Sequence, residues 1–149
     1  MDINQIINNI KKEFTSDKKI SKLSLLEDLK IHLIEFVRSL ESKKIRELVN
    51  FTKENNNKQY DINLNGINSS FSINFFKDEK IDEKNLSKFN TLEVAIEGRK
   101  QFKIFDHNNS KFAMYKLIPF YGIVYSKNTA ISSKVFSKST LIYINIEDD

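Results

Sequence analysis

Residues 91–106 read Thr91-Leu92-Glu93-Val94-Ala95-Ile96-Glu97-Gly98-Arg99-Lys100-Gln101-Phe102-Lys103-Ile104-Phe105-Asp106. Leu92, Val94 and Ile96 alternate with Thr91, Glu93 and Ala95, the period of two that sends successive side chains to opposite faces of a strand. The alternation predicts a half-buried strand over Thr91–Ile96. Gly98 turns the chain into a second strand, Gln101–Phe105, and the polar run 106–110 predicts a loop before a third, Phe112–Leu117. Working outward, Tyr60–Leu64 and Phe71–Phe76 flank a turn at Asn65-Gly66. Tyr121–Tyr125 and Thr140–Ile146 follow downstream, the last nearly all apolar and so expected at the centre of a sheet. Seven or eight short strands joined by polar turns predict an antiparallel sandwich or barrel.

The first third of the chain has another character. All three glycines and the single proline lie beyond residue 60, and only Phe14, Phe36 and Phe51 among the aromatic residues precede Tyr60. Leu26, Leu29, Leu33, Phe36, Val37, Leu40, Ile45, Leu48 and Phe51 recur at steps of three and four, which places them on one helical stripe. Ser39 and Ser42 mark a break into two helices. Ser21 or Ser24 is expected to cap the first, Glu27 completing a capping box after Ser24. A shorter amphipathic helix is expected over residues 2–14. The fold class is therefore α+β: an N-terminal helical region, 1–57, precedes a β-domain, 58–149. The stripe can pack on the chain's own sheet or form a dimer seam, and a homodimer is expected.

Composition removes several chemistries. The 149 residues carry no cysteine, so thiolate, disulfide and zinc-finger chemistry are absent. No apolar run approaches the ~20 residues of a membrane-spanning helix, and the polar, Asn-rich start lacks the pattern of a secretory signal. A cytoplasmic location is expected. The net charge is +4, yet only Arg38, Arg46 and Arg99 of the 24 cations are arginine, the residue best suited to phosphate and guanine. With no basic stripe either, nucleic acid is not an expected partner.

The segment 91–106 resembles the strand–glycine–strand of the cupin superfamily, and its Gly98-Arg99-Lys100 continuation is similar to the JmjC-type hydroxylase branch. Ile118-Pro119-Phe120-Tyr121-Gly122-Ile123-Val124-Tyr125 and the stretch to Ile146 are similar to the second cupin block, whose ending some sugar-nucleotide isomerases share. The resemblance spans about residues 60–149 and implies a jelly-roll barrel. It also says where metal ligands would stand. Counted from Gly98, the glutamate position falls on Thr91 and the two histidine positions on Asn85 and Ser87; counted from Gly122, the remaining histidine falls on Ser133. Amides and hydroxyls bind borderline transition metals weakly. Neighbouring Asp82 and Glu83 alone suit hard cations at low affinity. No metal or other cofactor is expected.

Other residues carry paired readings. Lys100 matches the lysine that holds the 2-oxoglutarate carboxylate in the JmjC-type enzymes; otherwise it is a solvated lysine beside a turn. Tyr115, Tyr121, Tyr125 and Tyr143 can stack on a sugar from inside the barrel, or simply fill it. Asp106-His107 resembles an acid–base pair, but its composition is that of an ordinary turn. His32 is expected as a helix-surface or packed histidine, not a ligand or base. The ligand-binding candidates are thus Asn85, Ser87, Thr91, Lys100, Tyr115 and Ser133, with no catalytic residue assigned. They point to a non-enzymatic module for a small polar ligand or a protein partner. The alternative, a metal-free sugar-nucleotide isomerase or epimerase of the cupin type, needs a general base, for which only His107, Glu93 or a tyrosine is available.

Overall fold

The computed structural model describes residues 22–64, 67–106, 108 and 110–146. The expected helix over 2–14, the Asn65-Gly66 turn and His107 lie outside them. Two helices come first, α1 (Lys22–Ser39) and α2 (Ser42–Glu54). They break where the serines predicted, and the Ser39 hydroxyl donates to the Phe36 carbonyl at 2.6 Å. Ser24 lies inside α1 rather than at its cap, because the helix already includes Lys22.

Nine strands follow: β1 (Gln59–Leu64), β2 (Ile67–Phe76), β3 (Lys80–Leu86), β4 (Asn90–Glu97), β5 (Lys100–Phe105), β6 (Phe112–Leu117), β7 (Gly122–Tyr125), β8 (Ala130–Val135) and β9 (Ser139–Ile146). They form a five-stranded sheet, β1-β2-β9-β4-β7, and a four-stranded sheet, β3-β8-β5-β6. From β2 onward the antiparallel partners are 2 with 9, 3 with 8, 4 with 7 and 5 with 6. A chain running out through four strands and back through four, with alternate pairs in different sheets, is a jelly roll. Its two sheets remain separate, so the body is a sandwich and not a closed barrel.

The sequence reading missed β3 and β8. Every residue of β3 is exposed, and its pairing with β8 slips between Asp82 and Asn85, so no buried face imposes an alternation. β9 lies between β2 and β4, the central place its apolar run predicted.

One expectation needs correcting. β4 is not half-buried: every residue from Asn90 to Ile96 is buried. Leu92, Val94 and Ile96 join Phe71, Ile73, Ile142, Ile144 and Ile146 in a core completed by Leu26, Leu29, Leu33, Val37 and Leu48 of the helices. The helical stripe is therefore occupied by the chain's own sheet. The other face of β4 lies inside the sandwich, where Ala95 packs with Phe102, Leu117, Val135 and Leu141. Helices, large sheet and small sheet make three layers, so the middle layer has no wet face.

Gly98 makes the β4–β5 turn possible. Its φ is +75°, and a Cβ there would lie 2.6 Å from the Ser139 Cα, so both the backbone and the space exclude a side chain.

Candidate functional site

Because the helices occupy one face of the five-stranded sheet, the polar members of the alternation turn into the sandwich. Glu93 is fully buried there, and Lys100 of the opposite sheet is 7% exposed. Lys100 Nζ donates to Glu93 Oε1 at 2.7 Å, and the Tyr125 hydroxyl donates to Glu93 Oε2 at 2.6 Å. Lys100 Nζ also lies 4.7 Å from the Phe102 ring centroid and 5.3 Å from that of Tyr143. A buried carboxylate is tolerated where both oxygens are bonded and a cation opposes it, as here. Burial, and then the Glu93 charge, push the phenols of Tyr125 and Tyr143 well above the ordinary tyrosine range, so both keep their protons.

Above this cluster lies a cavity of about 410 Å³. Lys100, Phe102 and Tyr125 line it, together with Asn85, Ser87 and Ser133. Asp82, Glu83, Leu86, Lys88 and Ile131 complete its rim. Four of the sequence candidates, Asn85, Ser87, Lys100 and Ser133, thus border one cavity. Thr91 does not: it is 5% exposed, and its hydroxyl donates to Asn145 Oδ1 at 2.8 Å. Tyr115 does not either. It stands half exposed on the edge strand β6 and lines a separate cavity of about 270 Å³ beside Tyr121. Of the four tyrosines read as interior, only Tyr125 and Tyr143 pack inside the sandwich.

The donor set does not fit a transition metal. Asn85 Oδ1 accepts from the Leu86 amide at 2.9 Å. The Ser87 hydroxyl donates to the Ser126 carbonyl at 2.6 Å and accepts from the Thr129 amide at 2.9 Å, stapling the β3–β4 link to the β7–β8 loop. Thr91 is spent within the sheet. The side chains at the positions the resemblance assigned to metal ligands, Asn85, Ser87, Thr91 and Ser133, are thus all neutral, and no three His, Asp or Glu side chains among the described residues come together to hold an ion. Asp106 serves its turn, accepting from the Ser110 amide at 3.0 Å. His32 lies on the exposed side of α1.

Sequence reasoning named Glu93 only as a possible base and missed its pairing with Lys100. The sequence held half of the signal: Glu93 alternates with Leu92 and Val94, and once the helical stripe covers the apolar side of that strand the glutamate faces the opposite sheet.

No protein-family model matches this sequence, and no curated protein matches it. Among solved structures, the fold is similar to Drosophila melanogaster CENP-C bound to CAL1, at 12% identity over 71% of this chain and 95% of that one, with a TM-score of 0.49. A cupin superfamily protein from Desulfitobacterium hafniense is 12% identical over 91% of this chain and 96% of that one, with a TM-score of 0.43. Bacillus subtilis oxalate decarboxylase is 11% identical over 60% of this chain but 25% of its own length, with a TM-score of 0.48. No helix among the described residues is long and apolar enough to cross a membrane. By its strand order, two antiparallel sheets containing 2-9-4-7 and 3-8-5-6, this chain is a jelly roll preceded by helices.

Proposed function

We propose that this chain is a non-enzymatic cupin-like module that binds a small polar ligand in the cavity above the Glu93–Lys100–Tyr125 cluster. The observation that carries the reading is the placement of Lys100. Its ammonium has three donors; Glu93 holds one, and the lysine borders a cavity whose rim adds the polar groups of Asn85 and Ser133. An acceptor group on a ligand would meet a fixed cation there with little side-chain ordering to lose. An isomerase at the same place would need a base. Glu93 has both oxygens bonded and no exposed surface, and the neighbouring phenols are held protonated.

The test is a thermal-shift screen of sugar nucleotides and 2-oxo acids, since a ligand at a hundred times its Kd adds about 2.7 kcal/mol to the folded state. At least one compound is expected to raise the melting temperature, and Ser133→Val is expected to reduce that rise while leaving the basal melting temperature in place. A screen without any stabilising compound overturns the reading. Turnover of a sugar nucleotide by the purified protein replaces it with the isomerase.

The reading includes a homodimer joined edge to edge. β6 pairs only with β5, so its outer edge carries unpaired backbone groups, and Phe112, Met114 and Tyr115 are half exposed along it. Light scattering is expected to report a dimer; a monomer at high concentration removes this part.

A further inference from the structure

A second cavity, about 530 Å³, opens on the inner face of the five-stranded sheet toward its β1 edge. Its polar lining comes from Gln59, Asp61, Asn68, Ser69, Ser70 and Asn145, with Ile62 and Phe89 as its apolar members. The register explains the convergence. Asp61 pairs with Ser70, Ser70 with Asn145, and Asn145 with Thr91, so one polar row crosses four strands. Thr91 in turn pairs with Tyr125, so the row ends at the first cavity.

Three features set the chemistry of this second cavity. The first is unspent hydrogen-bonding capacity. Asn145 Oδ1 accepts from Thr91, but its Nδ2 has no partner among the described residues, nor do the side chains of Gln59, Asp61, Asn68 and Ser70. The second is charge: among the described residues the lining holds one carboxylate and no cation, which disfavours phosphate or carboxylate ligands. The third is Phe89, an apolar ring beside that polar set. Carboxylate and amide groups beside an aromatic ring suit a ligand with several hydroxyls on one side and C–H bonds on another. The volume lies within the range of small-molecule pockets.

We propose that this cavity is a binding site for a neutral saccharide, with Asp61, Ser70 and Asn145 taking its hydroxyls and Phe89 contacting the ring face. The assignment is independent of the ligand proposed at Lys100. It is tested by titrating the isotope-labelled chain with glucose, galactose, mannose, N-acetylglucosamine and maltose while following amide resonances. At least one sugar is expected to give saturable shifts centred on Asp61, Ser70, Phe89 and Asn145. Asp61→Ala and Phe89→Ala are each expected to weaken that binding about tenfold, the scale of one lost charge-assisted hydrogen bond or stacking contact. Ser133→Val, at the other cavity, leaves it unchanged. Both Asp61 and Phe89 lie at the surface, and retained melting temperatures identify the variants as folded. Absence of saturable shifts with every sugar overturns the proposal. So do shifts centred on Lys100 and Ser133, and so does binding undiminished in both variants.

Discussion

The two faces of the five-stranded sheet are both covered, yet they are built differently. Toward the helices stand Phe71, Ile73, Leu92, Val94, Ile142, Ile144 and Ile146, and the layer beyond answers with leucines and valine. Toward the small sheet stand Ser70, Ser72, Thr91, Glu93, Tyr143 and Asn145, broken by Ala95 and Leu141. The difference teaches how a short chain can keep a polar interior. Burial of apolar area supplies most of the folding free energy. Here the helical layer gathers much of it on one side, which frees the sandwich interior to hold hydroxyls, amides and an ion pair.

The sharpest way to break that division is to remove a large side chain from the helix-facing core. Phe71 is fully buried, and Phe71→Ala is expected to cost about 4 kcal/mol, read by chemical denaturation. A cost under about 1 kcal/mol would mean that the helices contribute little to holding the sheet.

The interior face responds to charge instead of volume. Glu93→Ala leaves the Lys100 ammonium buried without its carboxylate and is expected to cost about 3 kcal/mol. Adding Lys100→Met to Glu93→Leu should recover most of that loss, because an apolar pair needs no desolvation of charge. A double variant as unstable as the single would show that the pair is not an isolated ionic contact.

The smallest effect, per pH unit and per group, is expected at high pH. Tyr125 and Tyr143 have folded-state values raised above the unfolded value of 10.0. Their contribution is complete below about pH 10 and is lost as the pH rises, because the unfolded chain releases those protons first. Stability should fall above about pH 10 by about 1.4 kcal/mol per pH unit for each phenol. Tyr125→Phe should roughly halve the slope, and an unchanged slope would mean that the two phenols are not held protonated by the Glu93 environment.

Local signals carried much of the fold. Period two in β4, the glycine of the β4–β5 turn, the apolar run of β9 and the three-and-four spacing of the helices each follow from residues adjacent in sequence. β3 did not show itself, because an edge strand exposed along its whole length has no buried side to record in its residues. The candidate site was legible in pieces. Asn85, Ser87, Lys100 and Ser133 reached one cavity because cross-strand register brings β3, β5 and β8 together: Asp82 pairs with Ser133, and Ser133 with Phe102. Tyr115 was misplaced because β6 ends its sheet, so a side chain directed inward still meets solvent.

From its amino acids alone this chain declared helices before strands and an antiparallel β-body. Only the assembled layers decided which side of the central strand is the interior, and therefore that Glu93 meets Lys100 rather than water. Alternation tells that a strand has two faces; what covers each face depends on elements distant in the chain, and that cover decides whether a carboxylate is solvated or must find a partner.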